Sequence, residues 1–98
     1  MIRKKMLRQP TSPGQILKEE FLDPLGISQT AFAQHTGWTQ PKVSDIVNGR
    51  LGISSETAMV LADAFNTTPQ FWLNLQNEVD LWKASRTHKK VRALVKIQ

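Results

Sequence analysis

Five times along this chain, a serine or threonine stands directly before a stretch whose apolar residues recur every three or four positions. The residues that would cap these stretches are Thr11 or Ser12, Ser28, Thr39, Ser54 or Ser55, and Thr67 or Thr68. A side-chain oxygen at such a position accepts a hydrogen bond from an N–H group that the first turn of a helix leaves unpaired. Apolar residues at this spacing line one face of a helix. The sequence therefore predicts an all-α fold of five helices, and 98 residues suit one small domain.

Proline and glycine indicate where the predicted helices end. Proline disfavours helical geometry in the residue before it, so the first helix should end near Asp23-Pro24. Gly37 should break the second helix, because glycine takes positive φ without steric cost. Asn48-Gly49 should close the third helix as a C-terminal cap.

The net charge of +5 is distributed unevenly along the chain. Residues 1–8 carry +4, residues 9–82 carry −5 and residues 83–98 carry +6. We therefore divide the chain into a basic N-terminal arm (1–9), a helical domain (10–82) and a basic C-terminal tail (83–98). Basic tails suit a polyanion such as nucleic acid, although solvated tails without a partner explain the charges equally well.

The last residues of the chain fit two structures. Val91, Ala93, Val95 and Ile97 alternate with more polar positions, which is typical of a short strand. A frayed basic tail is the other interpretation of residues 88–98.

Several classes of function are not expected from this composition. The chain has no cysteine, which excludes a disulfide framework, thiolate metal sites and a cysteine nucleophile. It has neither a membrane-spanning apolar run nor a signal peptide, and it lacks nucleophile and phosphate-loop motifs. We therefore expect a cytoplasmic protein that is not an enzyme and that uses no cofactor and no metal.

One spacing in the middle of the chain is typical of a helix-turn-helix: Gln29-x3-Ala33-x3-Gly37-x5-Val43-x2-Ile46. A small Ala33 lets the two helices cross closely, and Gly37 permits the turn between them. Val43 and Ile46 anchor the following helix on the core. That helix then presents its N-terminal side chains, the arrangement with which such motifs read the major groove of DNA.

The anchored helix leaves Gln40, Lys42, Ser44 and Asp45 pointing mainly outward. An ordinary solvated helix face is the alternative interpretation of these residues. Trp38, Trp72 and Trp82 are interpreted as core or dimer packing rather than as platforms for base stacking.

Residues 28–49, SQTAFAQHTGWTQPKVSDIVNG, resemble the helix-turn-helix of lambda-repressor-like (Xre-type) DNA-binding domains. The similarity extends over about residues 10–82 to the HigA/VapI-type antitoxins, and the segment TPQFWLNLQ is its family-specific part. The resemblance implies a five-helix lambda-repressor-like fold and a homodimer that binds a palindromic operator in double-stranded DNA.

The resemblance also implies roles for individual residues. Gln29 and Thr39 should bond phosphates, and Gln40 should read a base edge, with adenine preferred. Lys42 and Ser44 should contact bases or phosphates, whereas Asn48 and Arg50 should hold the opposite backbone.

Two residues depart from the family pattern. Pro41 has no side-chain donor where related proteins often carry Ser or Thr. Asp45 occupies a groove-facing position, where its carboxylate would accept from cytosine N4 or simply repel phosphate.

The fifth helix is the predicted dimer interface. Its candidate residues for core and dimer contact are Phe71, Trp72, Leu75, Val79 and Trp82. The same stripe also fits a wholly intramolecular packing. A strand over residues 91–97 would pair naturally across the dimer, because pairing protects its edges.

The combined expectation is a sequence-specific DNA-binding antitoxin of a type II toxin–antitoxin system. It would repress its own operon and neutralise a cognate ribonuclease toxin by direct binding, through the basic arm, the first helix or the C-terminal tail. Two alternatives remain open: a free-standing Xre-type transcriptional regulator without a toxin, and a protein-interaction module that has lost DNA binding.

Overall fold

Each of the five helices begins at a serine or threonine whose hydroxyl oxygen caps it. The computed structural model describes residues 8–95, and within them the cap residues are Ser12, Ser28, Thr39, Ser54 and Thr68. Each hydroxyl accepts a hydrogen bond from the backbone N–H three residues later, at 3.0–3.2 Å. The predicted all-α architecture of five helices is confirmed.

The first helix, α1, runs on past the proline at which we expected it to end. It consists of three continuous segments, Pro13–Ile16, Leu17–Leu22 and Asp23–Leu25. The middle segment is a π-helix, in which the Asp23 N–H bonds the carbonyl of Lys18 five residues earlier. The prediction of an end near Asp23-Pro24 is therefore wrong by about one residue. The helix ends where Gly26 turns into the left-handed conformation, at φ 68°.

The other four helices follow with short turns between them. They are α2 (Gln29–Thr36), α3 (Gln40–Val47), α4 (Ser55–Phe65) and α5 (Pro69–Thr87). The last helix extends five residues into the segment 83–98, which was predicted to be a basic tail. Arg86 explains part of this extension, because its guanidinium lies 4.9 Å from the centre of the Trp82 ring one turn earlier.

The core is built around an aromatic cluster between α1, α2, α4 and α5. Phe65 packs against Phe21 and Phe32 with ring centroids 4.7 and 5.4 Å apart, and Phe21 lies 5.3 Å from Trp72. Trp72 is fully buried, and its indole N–H donates to the Thr67 hydroxyl at 2.8 Å. A buried polar group with a partner avoids the cost of desolvation, so this bond fixes the start of α5 on the core.

A close backbone approach fixes α1 against α3. A Cβ atom at Gly14 would lie 2.8 Å from the carbonyl carbon of Ile46 and 3.0 Å from the Cα of Val47. Only glycine allows the two backbones to come so near. The start of α1 therefore supports the buried side of α3, whose Val43, Ile46 and Val47 join the core.

Residues 88–95 form neither helix nor strand, and all of them are exposed. The strand interpretation of residues 91–97 is thus not observed for residues 91–95, and residues 96–98 lie outside the described part of the chain. Most of the predicted basic N-terminal arm, residues 1–7, also lies outside it. No helix within residues 8–95 is long and apolar enough to cross a membrane.

Candidate nucleic-acid interface

The turn between α2 and α3 is held by local hydrogen bonds and by one aromatic contact. The Thr36 hydroxyl donates to the carbonyl of Phe32 at 2.9 Å and accepts from the Trp38 N–H at 3.3 Å. Gly37 then adopts φ 78°, as the sequence predicted. Trp38 packs edge-on against Phe32, with centroids 5.9 Å apart. These contacts fix the direction in which α3 leaves the turn.

The N-terminus of α3 presents Thr39 and Gln40 to the surface, and both are exposed. The Thr39 hydroxyl oxygen accepts from the backbone N–H of Lys42 at 3.2 Å, which leaves its own proton free to be donated outward. Gln40 is the first residue of the helix and Pro41 the second. Pro41 suits the first turn, where its missing N–H costs no helical hydrogen bond.

Lys42 does not extend freely into solvent. Its amino group lies 4.6 Å from the centre of the Trp38 ring, in cation–π geometry. The contact draws the ammonium group towards the turn between the two helices. Trp38 therefore also contacts a candidate DNA-binding residue, which its interpretation as core or dimer packing did not include.

Ser44 and Asn48 are joined at the end of α3. The side-chain amide of Asn48 donates to the Ser44 carbonyl at 2.9 Å and to the Ser44 hydroxyl oxygen at 3.3 Å. Both bonds come from the amide nitrogen, which has two N–H donors, so Asn48 uses its donor capacity to close the helix. The Ser44 hydroxyl proton is the donor of this pair that is still able to bond a ligand.

Arg50 and Asp45 form an ion pair that sequence reasoning missed. The Arg50 Nε lies 2.9 Å from the Asp45 Oδ1. The backbone N–H groups of Arg50 and Leu51 also donate to the Asp45 carbonyl, at 2.8 and 3.1 Å. Asp45 and Arg50 are five residues apart, a spacing that does not by itself indicate an ion pair. The pair forms because the chain folds back at the Asn48-Gly49 turn. Gly49 is in the left-handed region, at φ 75°.

Gln29 stands at the first position of α2, as Gln40 does in α3, and it is half-exposed. The candidate DNA-contacting residues thus come from two helix N-termini and from the turn that follows α3. An N-terminus carries partial positive charge and directs free N–H groups outward, both of which suit a phosphate. Among residues 8–95, no group of three or more His, Asp or Glu side chains is placed to hold a metal ion.

The five residues predicted for the dimer interface divide into two groups. Trp72 and Val79 are only 0% and 4% exposed, because the core of the same protomer covers them. Side chains without free surface offer nothing to a second copy, so we correct the predicted interface by removing these two. Phe71 is 39% exposed, and Leu75 and Trp82 are partly buried, so these three retain surface for a partner.

The chain is similar to known transcriptional regulators and antitoxins. A helix-turn-helix family model matches residues 17–72. An uncharacterized HTH-type transcriptional regulator of Haemophilus influenzae is 42% identical over 93 residues, covering 95% of this chain and 87% of the relative. Antitoxin HigA-1 of Vibrio cholerae is 40% identical over 93 residues, covering 95% and 88%. The solved structure of antitoxin GraA in complex with its operator has a TM-score of 0.85 at 38% identity, covering 98% of this chain and all of that one.

Proposed function

The chain belongs to the helix-turn-helix family, and on that premise we propose that it is a sequence-specific DNA-binding antitoxin. It represses its own operon and neutralises a cognate ribonuclease toxin by direct binding. One observation carries the DNA-binding half of this proposal: a rigidly held α3 presents an exposed N-terminus with Thr39 and Gln40. The full-length similarity to an antitoxin solved with its operator supports the same half.

In the proposed complex, the N-terminus of α3 enters the major groove. Gln40 reads a base edge there, with adenine preferred, because an amide both donates to and accepts from adenine. The Thr39 hydroxyl, with its proton free, donates to a phosphate, and Gln29 does the same from the start of α2. Lys42 and Ser44 contact bases or phosphates farther along the helix.

Two residues beyond α3 hold the opposite strand of the duplex. Asn48 donates an amide N–H to a phosphate oxygen in place of its longer bond, the one to the Ser44 hydroxyl at 3.3 Å, and Arg50 offers its terminal guanidinium nitrogens. Such contacts set the register of the protein on DNA without reading sequence. Because residues 9–82 carry net negative charge, each cation among the proposed contacts has a large share in attracting DNA.

The DNA-bound form is proposed to be a homodimer on a palindromic operator. A single α3 covers only a few base pairs, whereas a two-fold dimer places two such helices about 34 Å apart, one turn of DNA. Phe71, Leu75 and Trp82 on α5 are the proposed contact residues. Sedimentation equilibrium at micromolar concentration tests this proposal, and a monomer there refutes it.

The antitoxin half of the proposal draws on the similarity to HigA-1, which covers 95% of this chain. Its test is a growth assay in which the small gene adjacent to this one is expressed alone and then together with this protein. Growth arrest followed by rescue supports the proposal. Arrest without rescue contradicts it. The matched control is a variant with Gln40→Ala, which should still rescue when both genes are expressed from foreign promoters.

A second candidate function is a free-standing transcriptional regulator without a toxin. It is kept because the relative from Haemophilus influenzae, which is as similar to this chain as the antitoxin is, is named only as a transcriptional regulator. The same growth assay distinguishes the two. A harmless neighbouring gene, together with retained DNA binding by this protein, supports the solitary regulator.

A further inference from the structure

Asp45 is the acidic residue that the helix-turn-helix pattern does not explain. It lies on α3 and is half-buried, and its carboxylate contacts Arg50, one of the proposed DNA-binding residues. An acidic side chain near a phosphate backbone weakens DNA binding unless a neighbouring cation compensates its negative charge. In this structure Arg50 compensates the charge of Asp45, because the Arg50 Nε lies 2.9 Å from the Asp45 Oδ1.

The geometry of the pair leaves the phosphate-binding end of Arg50 free. A guanidinium has five N–H donors, and the contact with Asp45 engages the one at Nε. The two terminal nitrogens remain available, and the Arg50 side chain is 62% exposed. Arginine is suited to phosphate because its planar fork presents adjacent donors.

The main chain keeps the same two residues together independently of their side chains. The N–H groups of Arg50 and Leu51 both donate to the Asp45 carbonyl. Replacing the Asp45 side chain therefore leaves the turn after α3 with its backbone bonds. The effect of such a replacement on Arg50 is separable from an effect on the fold.

We infer that Asp45 is a positioning residue, which holds the Arg50 guanidinium in the orientation that binds a DNA phosphate. This inference rests on the proposed function. It differs from the two roles that the sequence offered for Asp45, acceptance from cytosine and repulsion of phosphate. An arginine held in place before binding loses less conformational freedom when the complex forms.

The test is a double-mutant cycle on DNA binding. The wild-type protein is first used to select a duplex from a random-sequence pool, and this duplex is the probe for all variants. Fluorescence anisotropy then gives the Kd of the wild type, Asp45→Ala, Arg50→Ala, the double variant and Asp45→Asn. Circular dichroism and Tm of each variant establish that the fold is retained.

The inference predicts that Asp45→Ala weakens binding about two- to tenfold, the range expected for ordering one rotamer-rich side chain at an interface. In the Arg50→Ala background, the same change should leave Kd unchanged or lower it, since only repulsion of phosphate is then removed. Asp45→Asn keeps an oxygen acceptor and should fall between the wild type and Asp45→Ala. Arg50→Ala should also reduce the slope of log K against log salt by about 0.9, the loss of one phosphate contact.

Other results overturn the inference in distinguishable ways. If Asp45→Ala binds as tightly as the wild type, Asp45 does not position Arg50 for DNA, and if it binds more tightly, Asp45 repels phosphate. If it weakens binding equally with and without Arg50, Asp45 contacts DNA itself. If the wild type enriches no duplex, the proposed function fails and the positioning role fails with it.

Discussion

Replacing Gly14 by alanine tests the contact that supports α3 from behind. The added Cβ would lie 2.8 Å from the carbonyl carbon of Ile46 and nearer still to its oxygen. Real Cβ atoms essentially never approach other atoms within 3.0 Å, so something must move. The atoms in the way are backbone atoms of a buried part of α3, which cannot rotate aside. The substitution therefore forces α1 and α3 apart.

The expected cost follows from two opposing effects. Inserting a methyl group into a tightly packed site costs about 1–3 kcal/mol, and a clash with backbone belongs at the upper end. Alanine regains up to about 1 kcal/mol through its better helix propensity. The net destabilisation is about 2 kcal/mol, which corresponds to a fall in Tm of roughly 8–16 °C for a domain of this size.

Thermal and urea unfolding followed by circular dichroism measure this loss. The matched control is Gly52→Ala, whose Cβ would meet only the end of the Gln76 side chain at 3.3 Å. That side chain is bonded to the Ile53 N–H and to Asp80, but its end shifts more readily than the backbone of α3, so the control should lose less stability than Gly14→Ala. Equal stability of the two variants would refute the close approach of α1 and α3.

Three further predictions follow from single contacts. Gln40→Ala should cost about 1–3 kcal/mol of operator-binding free energy and relax specificity at one base pair. The measurement is Kd on a panel of operators with single-base changes, and an unchanged Kd would place Gln40 outside the groove. Thr67→Val should cost about 1–3 kcal/mol of unfolding free energy in urea, because the buried indole N–H of Trp72 loses its acceptor; Thr67→Ser, which keeps a hydroxyl, should lose less. The pKa of Lys18 is raised above 10.5 by its hydrogen bond to Asp23 and by the charge of that carboxylate. The positive charge that Lys18 supplies to this pair is complete below pH 10.5 and is lost as pH rises through the raised pKa, so the Tm values of the wild type and of Lys18→Met should converge in that alkaline range.

The fold was predictable where its signals are local. A cap such as Ser28 or Thr39 acts on an N–H three residues away, so its effect is visible in the sequence. The end of α1 was not predictable in the same way. Pro24 is accommodated because the helix widens before it, and the bond from the Asp23 N–H to the Lys18 carbonyl is not specified by residue type. The extension of α5 is accompanied by a contact of Arg86 with Trp82 that its charge pattern alone did not indicate.

The exposure of Thr39 and Gln40 was predictable from the sequence, but the contacts among the candidate residues were not. The spacing around Gly37 determines which residues of α3 face outward, and this spacing pointed to Gln40. The pair of Asp45 with Arg50 and the stacking of Lys42 on Trp38 depend on the shapes of two turns. The burial of Trp72 could not be separated from a dimer contact either, because an apolar stripe has the same sequence whichever partner covers it.

Footprinting of the wild-type protein on the promoter region of its own gene tests the central proposal most directly. The proposal predicts protection of two half-sites with centres about 10 base pairs apart, one helical turn of DNA, and loss of this protection with Gln40→Ala. Arg50→Ala should weaken protection at both half-sites and leave their positions unchanged. Absence of protection at low salt, or protection that is equal on unrelated DNA, would contradict sequence-specific binding through α3.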